Sequence, residues 1–440
     1  MQNLFKDYHF KLKLFSFLAL LIIIFYRSPY ILLNSRFVSE EGFYWFRNSY
    51  IEGPIYGLFQ IFWETGYFNL WANIGSVLAL IPPIEYAPFA TVYLSLFLKL
   101  FIIYYILNSS SSLLINIYYK VISSFLVILS PPIVPEIWLN TLNSQSFFGI
   151  LTVLIFFQSN EDQKPIHATS PYVLFIGGMS ALYVCALSPF FLVKYLLTKN
   201  KTDFKNFIFI AFATLIQFAL VVYTKMNNMI VLVGESRFQP SIEKLINYCY
   251  NVIVKSILGR ETSQYIIGNL YNINTSILLI IFLCFIFIAI YLFIFLTKKE
   301  KDKTLIFLFL FFITESLLVF IGSWGSQVQG RYAVVPGIIL LFIFLRLVQY
   351  DQKIIKIISM IIIFFSLMAG SYEFKHNAKY PSFLICMGCP HWKEEIKIWK
   401  NNPNYRIKIW NYPNKYMYLN INHKQIPGWY FQFRQPNKIN

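Results

Sequence analysis

The chain has 440 residues, of which 57% are hydrophobic and 13% are charged, and its formal net charge is +17. Because soluble domains carry about 25% charged residues, this composition excludes an ordinary soluble protein and predicts a multi-pass membrane protein. The basic residues fall in short loops and in one tail rather than in a compact patch. We therefore expect anionic lipid or lipid-phosphate as the partner of this charge, and no nucleic acid.

Long apolar segments follow one another along most of the chain. A helix needs about 20 largely apolar residues to cross the hydrocarbon core of a bilayer. The first segment follows Lys6, Lys11 and Lys13 and lacks a small-residue cleavage site, so it predicts an uncleaved span rather than a signal peptide. The predicted spans are 14–26, 69–84, 86–107, 113–131, 142–158, 171–193, 206–225, 276–297, 304–323, 332–349 and 353–370.

These segments predict an all-α integral membrane protein with about 11 transmembrane helices. Lysine and arginine are concentrated at the N-terminus and in the segments 194–205, 298–303 and 346–356, which the positive-inside rule assigns to the cytoplasm. The C-terminus is then external. The predicted organisation is a membrane domain at 1–370 with external loops at 34–68 and 226–275, followed by a small external C-terminal segment at 371–440.

An acidic doublet, Glu40 and Glu41, follows the first span. Adjacent carboxylates in a partly desolvated cleft repel each other, which raises at least one pKa and favours a general base. The sequence does not separate the two residues. If residues 40–50 are α-helical, Glu40, Tyr44 and Arg47 share one face, so that Arg47 orients Glu40, while Arg36 flanks the doublet from the other side. A solvated helix start with favourable dipole placement is the alternative.

Arg331, at the start of the tenth predicted span, is the main candidate for binding a phosphate at the external interface. An interfacial arginine that reaches lipid headgroups is the alternative. Arg237, Lys255 and Arg260 are weaker candidates for the same task.

Two further sets of polar residues interrupt the apolar background. Glu136, Asn140 and Asn143 are spaced as one stripe of a helix, but eleven spans place this stripe on the cytoplasmic side, away from Glu40. Either the stripe belongs to a re-entrant element, or one predicted span is wrong, or these residues cap a helix. Glu315 lies near the middle of the ninth span, where we expect it to be protonated, paired or facing a cavity, with Lys120 as a candidate partner.

The tail carries a Cys386–Cys389 pair and four tryptophans. The pair predicts a disulfide or two free thiols, with a metal site as the third option, because one nearby histidine leaves a four-ligand set incomplete. The tryptophans predict either a lid over the external loops or anchors at the interface. They are Trp392, Trp399, Trp410 and Trp429.

Several short motifs, in order along residues 1–370, resemble those of bacterial membrane proteins of the GT-C glycosyltransferase type. In that superfamily an acidic motif in the first external loop precedes the second span. The motifs are Glu40-Glu41-Gly42, Gly66-Tyr67-Phe68-Asn69-Leu70-Trp71-Ala72-Asn73, Ser130-Pro131-Pro132 followed by Glu136 and Asn143, Leu187-Ser188-Pro189-Phe190, and Gly330-Arg331-Tyr332-Ala333-Val334-Val335-Pro336.

The resemblance implies an inverting transfer of a sugar from a polyprenyl-phosphate carrier to an acceptor hydroxyl at the outer face of a bacterial plasma membrane, in envelope glycan or glycolipid synthesis. The implied partners are the lipid-linked sugar, membrane lipid, and a glycan or lipid acceptor. No cofactor or resident metal site is assigned, although a divalent ion is compatible with the superfamily. The implied catalytic residues are Glu40 and Glu41, and the implied substrate-binding residues are Arg36, Arg47, Tyr67, Arg331, Tyr332, Glu136 and Asn143.

Two other functions remain open at this level. A transporter or flippase of lipid-linked sugars would use Glu315 as its coupling carboxyl, and an oligosaccharide polymerase of the O-antigen type would also have many spans and external basic loops. Inverted hydropathy repeats would favour transport, and the sequence has no visible ones.

Overall fold

The computed structural model describes residues 2–63, 66–159, 165–227, 242–270, 302–323, 330–376, 391–410 and 416–420. The helices are α1 (Gln2–Arg27), α2 (Pro29–Leu33), α3 (Arg47–Glu52), α4 (Pro54–Phe59), α5 (Leu70–Leu78), α6 (Ala87–Asn108), α7 (Ile117–Leu129), α8 (Gln145–Phe156), α9 (Ser170–Gly178), α10 (Leu182–Ala186), α11 (Ser188–Thr198), α12 (Lys201–Met226), α13 (Ile242–Tyr248), α14 (Lys255–Leu258), α15 (Arg260–Leu270), α16 (Lys303–Gly322), α17 (Val334–Leu347), α18 (Lys353–His376) and α19 (Trp392–Asn401). Two short strands, β1 (Ile407–Lys408) and β2 (Tyr416–Met417), pair antiparallel.

The protein is a mostly helical, multi-pass membrane protein. Within the described ranges, six helices are long and apolar enough to cross a bilayer, and a bent pair raises the number to seven if it is one span. The six are Tyr8–Arg27, Ile84–Asn108, Lys201–Met226, Lys303–Gly322, Gly330–Leu347 and Lys353–Phe374, and the pair is Pro165–Gly178 with Leu182–Thr198, bent by 114°. The prediction of about 11 spans is not reproduced by this part of the chain.

The segments that were expected to span and do not are short helices. α5 ends after nine residues, and the chain turns at Pro82-Pro83, because proline lacks the backbone N–H that a continuing helix needs. α7 has 13 residues and α8 has 12, which is less than the length needed to cross a bilayer. The predicted span 276–297 lies outside the described residues.

The end of the helix bundle that carries the acidic doublet also carries residues 130–144. Residues 130–144 connect α7 to α8, and Ser112 N, before α7, donates to the Phe157 carbonyl, after α8, at 2.9 Å. The connecting segment 130–144 contacts the acidic doublet of the first loop at Glu41. Glu40 and Glu136 both lie within electrostatic range of Arg331, so the prediction that Glu136 lies away from Glu40 is wrong, because the segment 130–144 packs on the first loop.

The opposite end of the bundle gathers residues from segments that we expected to be cytoplasmic. Asp302 caps α16 by accepting from Thr304 N at 2.9 Å, and its second oxygen accepts from Arg346 Nε at 2.6 Å and from the Tyr350 hydroxyl at 3.0 Å. Lys194 pairs with Asp203 at 3.1 Å. Lys194 and Arg346 thus form ion pairs, and the orientation of this end in the membrane stays a prediction.

The helices differ in how deeply they lie in the protein. The most apolar window is 56% buried in Ile84–Asn108 and 61% buried in Gly330–Leu347, but only 17% buried in Tyr8–Arg27 and 22% in Lys201–Met226. In α8 every side chain after Gln145 is buried. The first set forms the protein interior, and the second exposes apolar side chains of the kind that face lipid.

The described part of the tail packs on the first loop. The Phe37 carbonyl accepts from Trp410 N at 2.9 Å, and the Phe37 ring lies edge-on to Trp392 at 5.3 Å between centroids. Trp392 also donates to the Ile84 carbonyl at 2.8 Å. These two tryptophans are buried in the protein and are therefore not lipid anchors. Trp429 and the Cys386–Cys389 pair lie outside the described residues, and the domain boundary at 370 stays a prediction.

Candidate functional site

The acidic doublet opens a six-residue π-helix, Glu41–Phe46. A π-helix turns less per residue than an α-helix, so residues seven apart no longer share a face, and the predicted alignment of Glu40 with Arg47 is wrong. Gly42 is required by close packing, since a Cβ at this position would lie 2.8 Å from the Cβ of Phe37. Short π-helical insertions are frequent at functional sites in other proteins.

Glu41 is buried and connects the first loop to the segment 130–144 between α7 and α8. One carboxylate oxygen accepts from the backbone N–H of Thr141 at 2.8 Å and from its hydroxyl at 2.5 Å, and the other accepts from Val38 N at 3.3 Å. Burial raises the pKa of this carboxyl, and the hydrogen bonds from Thr141 and Val38 oppose that shift. With 1% of its surface exposed, Glu41 is a structural contact between two segments that are 100 residues apart.

Glu40 has a different environment from its neighbour. Its side chain is only partly buried, and it lies close enough to Arg331 for a charge–charge interaction. The structure therefore distinguishes the two carboxylates, which the sequence did not. Glu40 faces the arginine, whereas Glu41 is enclosed.

Arg331 forms an ion pair with Glu136, with 2.6 Å between Nη1 and Oε1. The side chains keep 30% and 27% of their surface exposed, so the pair is accessible. The guanidinium of Arg331 also lies 5.1 Å from the ring centroid of Tyr332 and donates to the Tyr332 hydroxyl at 3.4 Å. Both predicted residues of the 330–333 turn thus contribute to one polar cluster.

The predicted stripe at 136–143 exists as a cluster but not as a helix. Asn140 and Asn143 donate to the Glu136 carbonyl at 2.9 and 3.2 Å. The backbone between them consists of two 3₁₀ turns joined through Leu139, whose φ is +50°. Irregular backbone at this depth is tolerated because it is buried in protein, and the two amides satisfy a carbonyl that a helix would otherwise satisfy.

Tyr67 belongs to the same end of the bundle. Its hydroxyl accepts from Gln145 Nε2 at 3.4 Å, and Gln145 also donates to the Leu142 carbonyl at 3.1 Å. Tyr183 lies within electrostatic range of Tyr67, Arg331 and other groups of the cluster. The polar cluster is defined here as Glu40, Tyr67, Glu136, Asn143, Arg331 and Tyr332.

Arg36 and Arg47, which were expected to flank the doublet at the site, interact with other parts of the protein. Arg47 Nε donates to the Tyr418 carbonyl of the tail at 2.9 Å. Arg36 donates to the Tyr30 hydroxyl at 3.0 Å and lies within electrostatic range of Glu395. Burial lowers the pKa of both guanidinium groups. Arg47 thus links the first loop to the tail, and Arg36 links it to α2.

Glu315 lies fully buried in α16. Among the described residues none donates a hydrogen bond to either of its carboxylate oxygens. Lys120, the expected partner, lies in the first turn of α7 and donates to the carbonyl of Ser109, which precedes that helix. The predicted Glu315–Lys120 pair is therefore absent from this structure. Glu315 is within electrostatic range of Tyr183 and Cys185.

Two residues at this end of the bundle, Thr141 and Arg27, were not predicted from the sequence, and a third, Lys255, was only a weaker candidate for phosphate binding. Thr141 lies in an unremarkable polar run, and Arg27 looks like any arginine at the end of a span. Lys255 was one of several loop cations, yet its Nζ would lie 2.9 Å from a Cβ placed on Gly330, next to Arg331. Only the packing of distant segments identifies these three side chains.

No three His, Cys, Asp or Glu side chains converge as a metal site within the part of the chain that the structure describes. A divalent ion therefore stays a prediction. Comparisons with protein-family models, with curated proteins and with solved structures give no match for this chain.

Proposed function

We propose that this protein is an inverting glycosyltransferase that moves a sugar from a polyprenyl-phosphate carrier to an acceptor hydroxyl at the membrane surface. Glu40 is the general base, and Arg331 contacts the departing phosphate. The observation that carries the proposal is the position of Glu40 within charge–charge range of an accessible arginine, beside the buried contact that Glu41 makes with Thr141. Bacterial envelope glycan or glycolipid synthesis is the proposed setting, with the polar cluster at the outer face.

The chemistry requires one base and one anion contact. The acceptor oxygen forms a bond to the anomeric carbon while its proton passes to Glu40. The bond from that carbon to the phosphate oxygen breaks, and its electron pair stays on the phosphate, where a guanidinium stabilises the negative charge through paired hydrogen bonds. Tyr67, Tyr332 and Asn143 supply polar groups around the transferred sugar. Glu136 holds Arg331 in place until a phosphate shares or replaces that contact.

The test uses the full chain purified in a non-ionic detergent with a panel of polyprenyl-phosphate-linked hexoses and pentoses. Release of free polyprenyl phosphate is measured by mass spectrometry. We expect Glu40→Gln to lower turnover by about 10²–10⁴-fold, which is the usual contribution of a general base, while the melting temperature is unchanged.

Glu52→Gln is the matched control, because Glu52 is an exposed carboxylate of the same loop. It is expected to retain full turnover. Wild-type turnover by Glu40→Gln, or no release from any sugar of the panel by the unmodified protein, contradicts the proposal.

Transport of lipid-linked sugars is a second candidate function, favoured by the buried carboxyl of Glu315. A coupling carboxyl inside a membrane must gain and lose a proton, and a group without hydrogen-bond donors around it is suited to that. In a vesicle assay that reports movement of a fluorescent polyprenyl-phosphate analogue, transport predicts that Glu315→Gln stops movement and that Glu40→Gln does not.

A further inference from the structure

A partly open cleft lies beside the polar cluster, between the end of α1, the 129–135 segment, α14 and the last turns of α18. Its enclosed cavity volume is about 10 Å³, and the rest of the cleft is open to solvent. The charged side chains that line it are Arg27, Lys255 and Glu373.

Arg27 is enclosed at this cleft, and none of the carboxylates in the described ranges forms an ion pair with it. It is 4% exposed, and its guanidinium lies 4.2 Å from the ring centroid of Trp138 and 4.4 Å from that of Phe374. Nη2 donates to the Ile133 carbonyl at 2.8 Å, but among the described residues none accepts from Nε or Nη1. Aromatic faces stabilise a cation only in part, so two donors of a buried charge remain to be satisfied.

Lys255 brings a second cation to the same cleft. It is 6% exposed and lies within electrostatic range of Glu373, Arg260 and Glu136. Lys99, which is 1% exposed, lies 5.2 Å from the ring centroid of Trp138 and within electrostatic range of Arg27. Two buried cations thus line the cleft, and a third lies near one of them.

Glu373 does not balance these cations. Its Oε1 accepts hydrogen bonds from the backbone N–H groups of Arg260 and Glu261, which draw the carboxylate toward the start of α15. Two lining cations therefore face one carboxylate that is already engaged, and the cleft is electropositive.

We propose that this cleft binds a phosphate group between Arg27 and Lys255. Guanidinium and ammonium groups are the side chains that bind phosphate oxygens most strongly, and Arg27 keeps Nε and Nη1 as donors for such oxygens. The site is separate from the Arg331–Glu136 ion pair and goes beyond the proposed transfer, because it concerns binding of an anion alone. The phosphate is either that of a lipid headgroup or a free anion.

Binding is measured on the full chain in phosphate-free buffer and dodecyl maltoside. The probes are inorganic phosphate, followed by equilibrium dialysis, and dioleoyl phosphatidic acid, followed by native mass spectrometry, with dioleoylglycerol as the lipid that lacks the phosphate. Tighter binding of phosphatidic acid than of inorganic phosphate assigns the site to a headgroup, and the reverse order assigns it to a free anion. Either result supports the proposal.

The variants distinguish binding in the cleft from a general effect of the protein's positive charge. We expect Arg27→Met and Lys255→Met each to raise the dissociation constant about tenfold or more, as the loss of a charge-assisted hydrogen bond does. Lys255→Arg retains the charge and is expected to bind. Lys397→Met removes one exposed lysine of α19, outside the cleft, and is the matched control.

If Arg27→Met does not fold, as judged by its melting curve, the pair Lys255→Met and Lys255→Arg decides. The proposal is overturned if neither probe saturates the unmodified protein, or if both methionine variants bind like it. Because no sugar donor is present, failure of this titration leaves the assignment of Glu40 untouched, and loss of the transferase proposal leaves this site standing.

Discussion

We expect the hydrogen bond from the Thr141 hydroxyl to Glu41 to hold the acidic loop against the segment between α7 and α8. Thr141→Val removes the hydroxyl, which lies 2.5 Å from Glu41 Oε1, and keeps the methyl group that packs near Gly75. The backbone N–H of residue 141 still donates to Glu41 at 2.8 Å. The substitution therefore deletes one buried hydrogen bond with almost no change of shape.

The magnitude follows from the charge state of the acceptor. A hydrogen bond to an ionised group contributes about 1.5–3 kcal/mol, and one between neutral groups about 0.5–1.5 kcal/mol. Because burial raises the pKa of Glu41 while its donors lower it, we expect a loss between these ranges, about 1–3 kcal/mol.

The assay is equilibrium unfolding in mixed micelles, followed by tryptophan fluorescence. Thr152→Val is the matched control, since this buried threonine donates only to the Phe148 carbonyl of its own helix, at 2.8 Å, and that carbonyl keeps its helical partner. A double-mutant cycle with Glu41→Gln isolates the coupling between the two residues. Equal stability of Thr141→Val and the unmodified protein refutes the view that Glu41 fastens the first loop to the segment between α7 and α8.

Three further outcomes are expected. Gly42→Ala places a methyl group 2.8 Å from the Cβ of Phe37, so we expect about 1–3 kcal/mol of destabilisation in the same unfolding assay, and an unchanged midpoint would contradict the close packing. Arg346→Gln leaves Asp302 enclosed without its ion partner and should cost about 3 kcal/mol, whereas a neutral result would mean that Tyr350 and the helix N-terminus suffice. Burial lowers the pKa of Lys255 to about 8, so its amine is protonated below that pH and loses its charge above it. Phosphate binding should therefore weaken as the pH rises from 7 to 9, and Lys255→Arg should remove this dependence if the lysine is the cation involved.

The acidic doublet illustrates how far residue patterns reach. Its position after the first span marked it as a functional candidate, but the separate roles of Glu40 and Glu41 depend on contacts with residues 141 and 331. The α-helical spacing that aligned Glu40 with Arg47 failed because Glu41–Phe46 is a π-helix. A helix type that is set by the packing of Gly42 and its neighbours is not encoded in apolar periodicity.

The side of the membrane assigned to Glu136 shows a second limit of sequence-based prediction. One wrongly predicted crossing reverses the side of the membrane that is assigned to every later segment. α5 is apolar enough to suggest a span, and only its nine-residue length in the folded chain, ended at Pro82-Pro83, shows that it does not cross. Hydropathy thus predicts poorly how long the helix is within a continuous apolar segment.

The sequence by itself determined the class of molecule, a multi-pass helical membrane protein, because apolar runs in lipid must satisfy their backbone hydrogen bonds within each helix. It also marked Glu40, Glu136 and Arg331 as unusual, since polar groups near a bilayer are costly. Only the tertiary structure decided that Arg331 pairs with Glu136, that Thr141 holds Glu41, and that Arg27 lines a cleft with Lys255. These pairings join segments more than 90 residues apart, and their free energy depends on how the helices pack, which local patterns do not specify.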